Sequence, residues 1–206
     1  MDYASAHKQI YDDLADEYVA RDAVLAPTTR AGVDFILPHM VPNSAVLELG
    51  CGSGLAAKML SDEGHAVTVV EISPKMIEVA RRCSPTTTYM EGNFLTIELD
   101  TKFDVVFAFA FLHLFPKSDA IRVIKKAHSL LKDGGLFYAT TTKEKGSKEG
   151  WEAKSDYKNQ LARYRKRWTQ EEFEQTLLEN GFKVEALNLV DDPFGKVWMD
   201  YVMRKV

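Results

Sequence analysis

Residues 46–54 read Val-Leu-Glu-Leu-Gly-Cys-Gly-Ser-Gly, and a second apolar run, Val67 to Val70, ends on Glu71. An apolar strand that enters glycines at alternate positions and then a helix leaves few folds open. Glycine permits left-handed backbone and removes the Cβ that would hold a ligand away from the chain. The helix that follows offers unsatisfied amides at its positive end. An acid closing the next strand can accept two hydrogen bonds from a ribose diol. Together these features describe a pocket for an adenosine-containing cofactor.

The rest of the chain decides what surrounds that pocket. Strand-like and helix-like segments alternate: strand 46–50, helix 55–63 closed by Gly64, strand 66–71, and a helix opened by Ser73 and Pro74 that runs to Arg82. Residues 86–90 are β-rich, 103–110 are nearly all apolar, 118–131 have helical periodicity up to Asp133-Gly134-Gly135, and 136–142 form another strand. Continuous apolar strands alternating with helices imply a parallel sheet covered on both faces. Residues 3–24 and 28–40 read as two helices ahead of the first strand. Thr169 caps a helix that ends at Asn180-Gly181, and strands at 182–190 and 196–204 flank a turn at 191–195. Residues 1–206 therefore read as a single domain, with helices in 1–40 over the site and an insertion at 143–168.

Composition removes several classes of function. The net charge of −4 and 46% hydrophobic content fit a globular chain. No apolar run approaches the ~20 residues of a membrane helix, and a mildly acidic chain lacks the concentrated basic face that nucleic acid requires. The two cysteines, Cys51 and Cys83, are too few for a disulfide framework. With no basic-then-apolar leader at the start, reduced thiols in the cytoplasm are the expectation. No Cys/His cluster has metal-ligand spacing, so no metal is expected.

The glycine spacing separates cofactors. A dinucleotide fingerprint is Gly-x-Gly-x-x-Gly, whereas Gly50, Gly52 and Gly54 run Gly-x-Gly-x-Gly with Leu55 at the position of the third glycine. Glu-x-Gly-x-Gly-x-Gly after a strand, here Glu48 to Gly54 with Cys51 inside the loop, resembles the first motif of the class I S-adenosylmethionine-dependent methyltransferases. The resemblance extends over about residues 44–205. It implies a Rossmann-like α/β fold: a seven-stranded, mostly parallel sheet with helices on both faces and a C-terminal antiparallel hairpin. Glu71-Ile-Ser-Pro-Lys-Met76 is similar to the second motif, which implies that Glu71 holds the ribose hydroxyls while Ile72 and Met76 pack near adenine. Glu91-Gly-Asn-Phe94 stands where relatives carry Gly-Asp and an apolar residue; the amide oxygen of Asn93 can accept the adenine amino hydrogen in place of a carboxylate. Ala108 to Ala110 would lie beside the methionine part of the cofactor, with Phe109 as an aromatic face for the sulfonium.

Further candidates follow from the same resemblance. His113, in Leu112-His-Leu114 where relatives often carry Leu-His-His, has a suitable pKa for a general base. Tyr11 and Tyr18, seven apart on one helix face, resemble tyrosines that close over cofactor or substrate. Arg21 and Arg30 are placed to meet the cofactor's carboxylate. His7, His39 and His65 carry no supporting context, and His128 lies within a helix.

The polar stretch Lys143–Arg167 carries nine Lys/Arg against four Asp/Glu. It reads either as a solvated face or as a lid recognising a carboxylate or phosphate on the substrate, with Tyr157, Tyr164 and Trp168 as aromatic walls. The expected reaction is methyl transfer to nitrogen or oxygen of a small-molecule acceptor, by a monomer or homodimer. The alternatives are a non-catalytic adenosyl-binding module and an NAD(P)-dependent oxidoreductase.

Overall fold

The structure, a computed structural model, describes residues 2–153, 162–192 and 195–206. The chain opens with two helices, α1 (Tyr3–Ala20) and α2 (Asp22–Ile36). Asp2 starts α1 by accepting from the amides of Ala4 and Ser5 at 2.9 and 3.0 Å, which satisfies donors that have no partner inside a helix. The break between the helices falls at Arg21, whose amide folds back onto Tyr18, and not at residues 25–27 as the sequence suggested. Pro27 lies inside α2. Its missing N–H costs one helical hydrogen bond, and the helix continues because Val33 and Ile36 beyond it are fully buried.

The α/β core follows: β1 (Ala45–Leu49), α3 (Leu55–Asp62), β2 (Ala66–Glu71), α4 (Pro74–Cys83), β3 (Thr88–Glu91) and β4 (Phe103–Ala108). It continues through α5 (Lys117–Leu130) into β5 (Leu131–Thr142). Ser73 caps α4 by accepting from the Met76 amide at 3.0 Å, and Pro74 occupies the first turn, where no N–H is needed. Between β5 and α6 (Gln170–Leu178) lies a two-stranded antiparallel ribbon, β6 (Lys148–Ala153) and β7 (Ala162–Arg167). The chain ends with β8 (Phe182–Asp191) and β9 (Val197–Lys205).

The main sheet has seven strands in the order β3-β2-β1-β4-β5-β9-β8. The five on the β3 side run parallel, and β9 pairs antiparallel with both β5 and β8. This is the Rossmann-like sheet and C-terminal hairpin that the sequence implied. Alternation along the strands sorts side chains into two cores. Leu47, Leu49, Val106 and Phe137 pack with α5 and α6, while Val46, Val69, Phe107 and Tyr138 pack with α2, α3 and α4. The order of connection reverses between β1 and β4, because β2 and β3 lie to one side and β5 to the other. In open α/β sheets a ligand crevice forms at that switch, outside the carboxyl ends of the strands. Among the described residues no helix is long and apolar enough to cross a membrane.

Candidate active site

A cavity of about 280 Å³ opens at this switch, near the lower end of the roughly 300–1,000 Å³ usual for ligand pockets. Its floor is the loop after β1. Gly50 and Gly52 take positive φ of 76° and 49° and line the cavity. A Cβ on Gly52 would meet no atom within 4 Å, so the space above it is open to a ligand. Cys51 and Ser53 complete the loop, and the Ser53 hydroxyl donates to Asp22 at the start of α2.

Gly54 does different work from the other two. It is absent from the cavity lining, and a Cβ there would lie 2.9 Å from the Ala80 backbone. The third glycine lets α3 approach α4; it is a packing residue and not a ligand contact.

Glu71 ends β2 against this loop. One carboxylate oxygen accepts from the Ser73 amide at 2.8 Å and the other from the Cys51 amide at 3.2 Å. Burial pushes its pKa up, opposed by those two backbone donors. Ile72, Met76, Asn93 and Phe94 line the same side. The Asn93 side-chain oxygen accepts from the Leu95 amide at 2.9 Å, so its orientation is fixed by its own loop. Glu48 also reaches the cavity from β1. It is 2% exposed, its Oε2 has no hydrogen-bond partner, and burial, then the nearby Glu71, raises its pKa well above the carboxylate range. A buried carboxyl oxygen without a partner is costly, and a cationic ligand group in the cavity would favour the ionised form and offset that cost.

The opposite wall comes from the loop after β4. Phe109, Ala110 and Phe111 line it, Ala110 at a φ of +53° that is uncommon for a residue with a side chain. Phe109 is stacked between Tyr138 and Trp198, with centroid distances of 6.5 and 6.3 Å. Ala108 is fully buried in the core instead and does not line the cavity, because it still belongs to β4 and faces α5. His113 is 3% exposed, lines the cavity and tilts against Trp198 at 6.0 Å.

Helix α1 roofs the site. Tyr3, His7, Tyr11 and Tyr18 all line the cavity; the first three are four residues apart and so share a helix face. Asp12 ties α1 down by accepting from the Ser73 hydroxyl at 2.6 Å, and the Tyr3 hydroxyl donates to Asp119 at 2.6 Å. Arg21 lines the cavity but Arg30 does not. Arg30 turns to the outer face, where Nε donates to Asp34 at 2.8 Å and Nη2 to Glu63 at 3.2 Å.

Within the basic stretch β6 and β7 pair as a ribbon, and β7 packs on α1 and on the Leu112–Leu114 turn. Arg163 and Arg165, two apart on one strand, both line the cavity. Trp168 is not an aromatic wall of this site: it is fully buried and packs on Phe173 at 5.4 Å. Tyr164 faces Trp151 and Tyr3 and is also absent from the lining. Tyr157 lies outside the described residues. Sequence reasoning passed over His7, although its spacing of four from Tyr11 was a usable signal. It also passed over Asp192, Lys196 and Trp198, which the C-terminal hairpin brings to the rim.

The chain is similar to known methyltransferases. Residues 46–135 match the model of a methyltransferase domain family. Over 99 residues the chain is 38% identical to an uncharacterized methyltransferase of Staphylococcus carnosus, covering 47% of this chain and 46% of that one. Over 116 residues it is 31% identical to a ubiquinone biosynthesis O-methyltransferase of Xanthomonas campestris, covering 53% and 48%. The chain thus spans about half the length of these curated relatives. Among solved structures, it resembles the 1,6-didemethyltoxoflavin-N1-methyltransferase of Burkholderia thailandensis, crystallised with its substrate and S-adenosylhomocysteine. The TM-score is 0.81 at 20% identity, over 99% of this chain and 89% of that one. The magnesium protoporphyrin IX methyltransferase of Synechocystis, with bound S-adenosylmethionine, gives 0.78 at 16% identity over 100% and 98%. At these identities the structures share the fold.

Proposed function

We propose that this chain is a class I S-adenosylmethionine-dependent methyltransferase, which binds S-adenosylmethionine and transfers the methyl group to a nitrogen or oxygen of a small-molecule acceptor. One observation carries the reading: Glu71, its two oxygens held by the amides of Cys51 and Ser73, faces a cavity floored by two left-handed glycines. A carboxylate fixed in this way keeps its remaining lone pairs directed at a vicinal diol. Ile72, Met76, Phe94 and the Asn93 loop would enclose adenine, and Tyr11, Tyr18, Phe109 and Arg21 the methionine end. Glu48 fits a cationic cofactor, since its unpartnered oxygen needs a donor.

When bound, the cofactor supplies a methyl carbon already activated by its sulfonium. The protein's task is to hold the acceptor in line and exclude water. Helix α1 and strand β7 act as the cover. His113, buried on the acceptor side, takes the proton of an acceptor that arrives protonated. The small cavity supports a small acceptor over a macromolecule.

The test is turnover of labelled S-adenosylmethionine with metabolite fractions as acceptors. Label should enter a small product, and His113→Ala should lower turnover at least tenfold while cofactor affinity stays within about twofold. Cofactor binding with no transfer to any fraction would favour a non-catalytic adenosyl-binding module. Equal turnover in variant and parent would remove the base assignment.

A further inference from the structure

Among the cations of β7, Lys166 and Arg167 are matched by carboxylates. Lys166 pairs with Glu172 at 2.7 Å, and Arg167 pairs with Glu144 and Glu152 at 3.2 and 2.8 Å. Arg165 is treated differently. It is 9% exposed, lines the cavity, and among the described residues forms no ion pair. Its Nη2 donates to Thr142 Oγ1 at 3.1 Å, at the carboxyl end of β5, and its Nε has no hydrogen-bond partner. Arg163, also 9% exposed, lines the cavity two residues away and donates from Nη1 to the Tyr11 hydroxyl at 3.3 Å. Burial, then the like charges of Arg163 and Arg167, disfavours the charged form of Arg165, opposed in part by Glu144 and Glu152, which form their ion pairs with Arg167.

A guanidinium held out of water beside a second one, with an N–H left over, costs stability in the empty protein. An oxyanion in the cavity would offset that cost, since arginine forks match carboxylate and phosphate oxygens. The position excludes the cofactor's ribose and adenine as the source, because Glu71, Ile72 and Asn93 stand over β2 and β3 whereas Thr142 ends β5, on the far side of the switch. Next to the arginines stand apolar and aromatic walls: Phe115, Leu114 and Tyr3.

We propose that Arg165, with Arg163 beside it on β7, forms an anion subsite for a carboxylate or phosphate group carried by the methyl acceptor, next to an aromatic wall that takes the acceptor's apolar body. This inference deepens the function proposed above and rests on it.

The experiment is calorimetric titration of the full chain saturated with S-adenosylhomocysteine. The probes are benzoate and phenyl phosphate, with benzamide and benzyl alcohol as neutral counterparts. At least one anionic probe should bind at least tenfold tighter than its neutral counterpart, and which one does so tells carboxylate from phosphate. Arg165→Gln should remove that preference while S-adenosylhomocysteine affinity stays within about twofold. Arg165→Lys, which keeps the charge without the fork, should retain part of it. Equal affinity for anionic and neutral probes in the parent protein overturns the subsite, whether or not either variant folds. Loss of S-adenosylhomocysteine affinity in Arg165→Gln, with anion preference kept, also overturns it, because the arginine would then hold the cofactor's carboxylate. Failure of the parent protein to bind S-adenosylhomocysteine at all would refute the cofactor assignment instead.

Discussion

The loop after β1 separates two kinds of glycine, and paired alanine substitutions test that separation. Gly54 has φ +92° and would place a Cβ 2.9 Å from both the Cα and the carbonyl oxygen of Ala80. Those are helix-backbone atoms of α4 and have no rotamer to yield. Left-handed backbone with a Cβ costs about 1–2 kcal/mol, and overpacking against fixed atoms adds about 1–3 kcal/mol. Reduced entropy of the unfolded chain returns about 0.4–1 kcal/mol. Gly54→Ala should therefore destabilise by about 3 kcal/mol, which for a chain of this size lowers Tm by about 6–12 °C. Gly52→Ala meets nothing within 4 Å, so only the backbone strain remains, about 1 kcal/mol net. Its Tm should fall by less than about 4 °C, while S-adenosylhomocysteine affinity falls because the new methyl enters the cavity. Thermal melts of both variants, with and without ligand, read the two effects separately. Equal melting losses, or undiminished affinity in Gly52→Ala, would refute the reasoning.

Two predictions concern pH. Glu48 has a folded pKa raised above its unfolded value, so its contribution to stability is present in acid and is lost as pH rises. Glu48→Gln should accordingly raise the apo Tm at pH 7 and weaken S-adenosylmethionine binding; a lowered Tm would contradict the burial argument. His7 is held down to about 4 from 6.5, by burial and then by Arg163. The folded state resists protonation there, so stability is complete above pH 6.5 and falls by about 3 kcal/mol as pH drops toward 4, at about 1.4 kcal/mol per pKa unit. Urea titrations across that range should show a shallower acid loss in His7→Gln, and identical slopes would count against it.

Much of this architecture was legible because β1, β2, β4 and the second half of β5 are mostly apolar, buried runs between turn residues. The glycines at 50 and 52 and the acid at 71 stood out for the same reason: charge and missing side chains interrupt otherwise buried strands. The errors have specific causes. A glycine motif does not say whether the absent Cβ makes room for a ligand or for a neighbouring helix, which is why Gly54 was assigned to the cofactor. Moving the helix break to Arg21 changes the phase of α2, and Arg30 then points outward. Ala108 was counted into the loop because the apolar run continues past the end of β4. The β6–β7 ribbon was hidden because Arg-Tyr-Arg-Lys-Arg at 163–167 has no apolar-polar alternation; its buried positions are cations. Trp168, next to that run, was drawn into the site by proximity in sequence, although it anchors the core under α6.

The claim on which the rest depends is that the bend at Gly50 and Gly52 and the carboxylate of Glu71 form one adenosyl site. Calorimetric titration with S-adenosylhomocysteine, with NAD in parallel, measures this most directly. The account predicts saturable one-to-one binding, at least tenfold weaker in Glu71→Ala, with no heat from NAD. No binding of S-adenosylhomocysteine, equal binding of NAD, or full affinity in Glu71→Ala would contradict it.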